Sequence, residues 1–118
     1  NKDLVDFEMD IYWVVKAKQD PEKWLKEYSS RFKLCHIKDL YKPERIAEIE
    51  STEALEGDFW PNSTSCQVGT GQIDFDTILP IAKANGITEF IIEQERFDNS
   101  TPLGDAQKNA LFMNKYLV

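Results

Sequence analysis

The chain has 118 residues, 42% of them hydrophobic and 12% aromatic, with a formal net charge of -7. That length and apolar content bound it to one globular domain with a modest core, exclude a disordered chain, and leave no apolar run long enough to span a bilayer. The acidic balance argues against nucleic-acid binding, which needs clustered Lys and Arg on phosphates, and favours a small ligand or a protein partner.

No signal segment is visible. The chain opens at Asn1 without an initiator Met, which reads as a processed product or an excised fragment. Cys35 and Cys66 form no CxxC pair, and a disulfide between them requires the loop around Cys66 to fold back onto Cys35. The N-x-T sequons at Asn62 and Asn99 are short patterns that arise by chance.

In chain order, residues 5–11 read as a strand, with Glu8, Asp10 and Tyr12 on one face and Phe7, Met9 and Ile11 on the other. Asp20-Pro21-Glu22 supplies an N-cap, a first-turn proline and an acidic first turn, and so starts a helix that buries Trp24, Leu25 and Tyr28. Residues 32–39 form the next strand, with Leu34, His36 and Lys38 on one face. Residues 40–72 hold two prolines, three glycines and a Ser/Thr/Asn cluster, so they read as a long loop with one short helix over 44–55. A connection of that length is usually functional.

Asp74 or Asp76 opens a helix over Ile78, Leu79, Ile81 and Ala82 that ends at Asn85-Gly86. Pro80 is tolerated only in a first turn, which favours Asp76 or Thr77 as the cap. Residues 88–94 make a third strand, with Ile91, Glu93 and Glu95 on one face. Thr101-Pro102 caps a last helix along Ala106, Ala110, Met113 and Leu117. Strands alternating with helices imply parallel pairing and right-handed crossovers, hence an α/β fold. Three strands do not close a parallel barrel, which uses eight.

Asp10, His36 and Glu93 each fall at the C-terminal end of such a strand. In parallel barrels those ends converge on one mouth, so the three offer two hard oxygens and an imidazole to Mn²⁺, Zn²⁺, Co²⁺ or Mg²⁺. The competing reading is three strand-end polar groups satisfied by loop backbone, with His36 a hydrogen-bonded core residue. Lys38 is either a binder of a substrate oxyanion or a surface lysine at the strand exit. Glu8 and Glu95 bring the site to as many as four carboxylates, a crowd that repels itself unless a cation sits within it. Trp13 either walls a sugar pocket with its apolar face or packs in the core. The glycines of residues 68–75 do not make a dinucleotide fingerprint, because Asp74 stands where the third glycine is required. Those glycines serve either a loop over the mouth or ordinary turn chemistry.

Together, Asp10-Ile11-Tyr12-Trp13-Val14-Val15, His36-Ile37-Lys38-Asp39, Val68-Gly69-Thr70-Gly71-Gln72-Ile73-Asp74-Phe75 and Ile92-Glu93-Gln94-Glu95 resemble the C-terminal part of the sugar phosphate isomerase/epimerase family, the xylose isomerase-like TIM barrels. The resemblance implies that residues 1–118 are one partial (β/α)8 barrel domain, carrying strands six to eight and their helices. It implies one divalent metal ion held by Asp10, His36, Glu93 and a further glutamate from an earlier strand, outside this sequence. Glu93 would be catalytic, and Lys38, Trp13 and Glu95 would contact a small carbohydrate. In epimerase members a histidine follows the aspartate ligand by three residues and an arginine follows the histidine ligand by six; here these positions hold Trp13 and Lys42.

The implied chemistry is proton abstraction beside a sugar carbonyl and return of the proton elsewhere, and the fragment alone is expected to be inactive. A keto-sugar or inosose dehydratase or lyase needs the same groups. A non-catalytic acidic α/β interaction module is the third reading, because unpaired sheet edges invite homo-oligomers. No nucleic acid or membrane partner is expected.

Overall fold

A computed structural model describes residues 1, 3–52, 63–98 and 100–117, so Leu55, Asn62, Asn99 and the side chain of Leu117 lie outside what is described. The elements run β1 (Phe7–Asp10), α1 (Ile11–Lys16), α2 (Pro21–Glu27), β2 (Phe32–Ile37), β3 (Asp39–Leu40), α3 (Pro43–Ser51), β4 (Ser65–Cys66), α4 (Phe75–Ala84), β5 (Glu89–Ile92) and α5 (Pro102–Leu117). The main sheet is three parallel strands in the order β1-β2-β5, while β3 and β4 pair antiparallel as a separate ribbon. This is the α/β architecture of a partial TIM barrel. No helix among the described residues is long and apolar enough to cross a membrane.

Parallel strands need crossovers, and the helices supply them while covering one face of the sheet. Met9, Cys35 and Ile37 point into that layer and meet Leu25 from α2, Phe75, Ile78, Leu79 and Ala82 from α4, and Met113 from α5, all buried. The α4 set recurs at i, i+3, i+4 and i+7, one stripe of a 3.6-residue period. As expected, α2 starts at Asp20, whose carboxylate accepts the amides of Glu22 and Lys23, with Pro21 at the first position. Thr101 caps α5 by accepting the Gly104 amide.

Several expectations are corrected. The first strand stops at Asp10, because Asp10 caps α1, so Ile11 and Tyr12 are both buried on a helix instead of lying on opposite faces of a strand. Of the three residues expected to be buried by α2 only Leu25 is; Trp24 and Tyr28 are 36% and 46% exposed beside Phe7 at the open edge of β1. Asp74, not Asp76 or Thr77, caps α4, and Pro80 sits inside the helix. Pro80 and Asp76 both lie on the exposed side, where the carbonyl deprived of its amide partner faces solvent. Ala106 and Ala110 are exposed, since α5 turns Asp105, Asn109 and Met113 inward. The 40–72 stretch holds not only α3 but also the β3–β4 pairing. Cys35 and Cys66 are both free and buried.

The loop 67–73 is knotted by a residue that drew no attention in the sequence. Asp39 is fully buried, and its carboxylate accepts the amides of Leu40 (2.8 Å), Gly69 (2.9 Å), Gly71 (2.9 Å) and Ile73 (3.2 Å). Gly69 adopts φ +85°, and a Cβ at Gly71 would collide with the Leu40 carbonyl oxygen and with Asp39 itself. Both glycines therefore serve the turn around Asp39.

Candidate functional site

The three parallel strands deliver their C-termini to one side of the sheet. Asp10 and His36 are direct neighbours in the β1–β2 register, and Glu93 lies one residue past β5, its amide extending the ladder to the Ile37 carbonyl at 3.1 Å. One side-chain donor atom from each of Asp10, His36 and Glu93 lies within 4.8 Å of the others. His36 is the hub. Its Nδ1 is 2.9 Å from Glu93 Oε2 and 3.6 Å from Asp10 Oδ2, and its Nε2 is 2.8 Å from Glu8 Oε1.

Around this centre stands a second layer of charge. Lys38, with only 1% of its side chain exposed, holds Glu95 at 2.6 Å and Glu93 at 3.4 Å; it is no surface lysine. Glu95 also accepts the Ser63 hydroxyl at 2.7 Å, and its amide donates to Ser65 Oγ at 3.0 Å, so the β4 region braces the end of β5. Four carboxylates, Glu8, Asp10, Glu93 and Glu95, thus surround one imidazole and one ammonium. Trp13 is 47% exposed and packs edge-on against Tyr12, with centroids 5.0 Å apart. A cleft of about 260 Å³ opens beside Asp10, lined also by Glu8, Trp13, Val14, Trp24 and Phe32. Lys42 is exposed at the start of α3.

The electrostatics follow from this crowding. Burial pushes the Asp10 carboxyl above its ordinary range; the Trp13 amide, Lys38 and His36 oppose the shift, while Glu93 adds to it. Burial disfavours the Lys38 ammonium, but Glu95 and Glu93 outweigh burial and hold its pKa above the usual lysine value. Glu95 also loses solvent, yet Lys38 and Ser63 keep its carboxyl below the usual range.

The donor set fits a hard or borderline divalent cation. Bonds of about 2.1 Å put neighbouring ligand atoms about 3.0 to 3.4 Å apart, and the 2.9 and 3.6 Å separations around Nδ1 fall close to that. Glu8 accepts at Nε2, the arrangement by which an outer carboxylate orients a metal-binding imidazole and leaves its other nitrogen free to ligate. The sequence placed Glu8 on the right face but not in this role, because cross-strand pairing is needed to see that it reaches His36.

No protein-family model matches the sequence, and no curated protein matches it. Among solved structures, a sugar phosphate isomerase/epimerase from Parabacteroides distasonis ATCC 8503 superposes with a TM-score of 0.68 at 28% identity, covering 96% of this chain and 31% of that one. The chain therefore spans about a third of the length of that protein. The resemblance read in the sequence thus holds in three dimensions: over nearly its whole length, this chain is similar in fold and sequence to one part of a sugar phosphate isomerase/epimerase.

Proposed function

We propose that this chain carries the sixth to eighth β/α units of a barrel enzyme that isomerises or epimerises a sugar or sugar derivative with one divalent metal ion. The observation that carries the reading is the meeting of Asp10, His36 and Glu93 from the ends of three adjacent parallel strands. The similarity to a sugar phosphate isomerase/epimerase supports it. Asp10, His36 and Glu93 would hold the ion, and when bound it supplies Lewis-acid polarisation of a sugar carbonyl.

The remaining steps belong to the side chains. The Glu93 carboxylate would accept the proton from the carbon beside the carbonyl, with Lys38 beside its Oε1 to orient it. Lys38 and Glu95 form a buried ion pair, and its ammonium would steady a substrate oxygen. Trp13 presents an exposed indole to sugar C–H groups. The partner glutamate on the other side of the substrate comes from an earlier strand. A keto-sugar or inosose dehydratase would use the same base, and mass analysis of the product separates the two, since only the dehydratase removes water. The interaction-module reading draws on the exposed Val5 and Phe7 at one sheet edge and Ile91 and Ile92 at the other.

The test is Mn²⁺ binding by the folded chain beside an Asp10→Ala, His36→Ala, Glu93→Ala variant. The expected result is saturable binding that the variant loses. Equal binding in both, or none in the wild type, overturns the metal reading for this chain.

A further inference from the structure

Between Glu93 and Glu95 stands Gln94, whose side chain the two-residue alternation turns away from the acidic centre and towards α5. Both donor hydrogens and the oxygen of its carboxamide are engaged. Nε2 donates to the Asp105 carboxylate at 2.8 Å and to the Arg96 carbonyl at 2.7 Å, while Oε1 accepts from Asn109 Nδ2 at 2.9 Å. Asp105 and Asn109 lie one turn apart on α5 and are buried, with 3% and 2% of their surface exposed. Asn109 in turn accepts the Val68 amide at 2.9 Å, so it joins the end of β5 to the loop that Asp39 holds.

The chemistry fixes the direction of every bond. The Val68 amide only donates and the Asp105 carboxylate only accepts, so Asn109 turns its oxygen to Val68 and Gln94 its nitrogen to Asp105. What remains is the Asn109 nitrogen against the Gln94 oxygen. Burial opposes ionisation of Asp105, but hydrogen bonds from Ser100, Gln94 and Lys108 outweigh it and hold the carboxyl below its usual range. A network with each donor matched to an acceptor specifies one arrangement and is rigid for that reason. β5 ends at Ile92, and the Glu93 amide adds one more bond to the ladder. Past that point side chains take over: Gln94 anchors on α5, and the Glu95 amide on Ser65 Oγ.

We propose that Gln94, held by Asp105 and Asn109, is a positioning residue of the candidate centre: it fixes the backbone from which Glu93 and Glu95 project towards His36 and Lys38. This rests on the reading above and deepens it. The carboxylate assigned to the proton and the one that holds Lys38 owe their placement to a single neutral side chain on the far face. Glu93 lies 2.9 Å from His36 and Glu95 2.6 Å from Lys38, separations that a small rotation about residue 94 would undo.

The test compares Gln94→Met, Asn109→Asp and Met113→Ala with the wild-type chain by ¹⁵N NMR and by Mn²⁺ titration. Gln94→Met keeps the length of the side chain and loses its three bonds, whereas Asn109→Asp keeps the acceptor for Val68 and loses the donor to Gln94. Met113→Ala removes a buried side chain of the same helix outside the network and controls for lost stability. In Gln94→Met the order parameters of the Glu93 and Glu95 amides should fall from about 0.85 to below about 0.6, with the amides of residues 89–92 unchanged. The ¹⁵N resonance of the Lys38 ammonium, set by its Glu95 and Glu93 partners, should shift, and Mn²⁺ affinity should fall about tenfold. Asn109→Asp should move the same readouts part of the way. Met113→Ala should lower the urea midpoint and leave them as in the wild type. Rigid Glu93 and Glu95 amides or an unmoved Lys38 resonance in Gln94→Met, or the same changes in Met113→Ala, overturns the proposal. Wild-type order parameters in Asn109→Asp overturn it as well. Relaxation decides it without any metal, so a wild type that binds no Mn²⁺ counts against the metal reading alone.

Discussion

Asp39 and Glu93 are both carboxylates at the end of the parallel sheet, and their surroundings are opposite. Asp39 accepts four backbone amides and is closed off from solvent. Glu93 faces an imidazole and an ammonium, with Asp10, Glu8 and Glu95 close by. The first is satisfied by the chain's own peptide groups and holds a loop in shape. The second is satisfied by side chains that could all release it, which is what a ligand or a proton acceptor requires. Burial with backbone donors marks a structural acid, and partial burial among other titratable groups marks a candidate functional one.

Substitutions should separate the two. The largest effect is expected at the knot: Asp39→Ala strands four amides, those of Leu40 and Ile73 buried, and should cost about 3–5 kcal/mol, read as a fall in the urea midpoint. Gly71→Ala should lower the midpoint as well, since its Cβ has no room. If either variant is as stable as the wild type, the knot is not what holds this loop.

At the other centre the order of effects reverses. Glu93→Gln and His36→Gln should leave the urea midpoint of the metal-free chain unchanged or slightly raised, because a crowd of carboxylates is relieved or left in place. Mn²⁺ affinity should fall about 100-fold or more, because a ligand is lost. A large loss of stability in Glu93→Gln would place it with Asp39 among structural acids.

The two thiols report on the two regions. Burial, with Asp10 and Glu8 beside it, pushes the Cys35 thiol up to about 12, and burial with Asp39 beside it does the same for Cys66. A pKa raised in the folded state gives stability that is complete below the unfolded value, about 8.5, and is lost as pH rises through the folded value. The urea midpoint should therefore decline from about pH 8.5 towards pH 12. At neutral pH both thiols should resist iodoacetamide until the chain unfolds. Asp39→Ala should release Cys66 to alkylation, while Asp10→Asn should not.

The smallest effect is expected at Trp13, which is half exposed: Trp13→Ala should change stability by no more than about 0.5 kcal/mol. Its consequence should appear in carbohydrate titrations, as loss of an exposed indole face beside the acidic centre. A stability change of several kcal/mol would make Trp13 a packing residue.

Much of this was written locally in the chain. Asp20-Pro21, Thr101-Pro102 and Asn85-Gly86 mark helix ends because capping and positive φ depend on one or two residues at a time. The strand-end positions of Asp10, His36 and Glu93 follow from short apolar runs, and parallel topology follows from their alternation with helices. Tertiary structure decided the rest, where the deciding partner is remote in sequence. Glu8 meets His36 across two strands, Lys16 meets Thr64 across 48 residues, and Asp39 gathers amides about 30 residues away. Trp24 and Tyr28 repeat at helical spacing yet stay exposed, because periodicity selects a face and only a packing neighbour buries it. The sequence by itself thus determined the helix caps, the order of elements and the chemistry on offer. The fold determined which charges face one another, because that depends on strand register and loop closure, which local pattern does not encode.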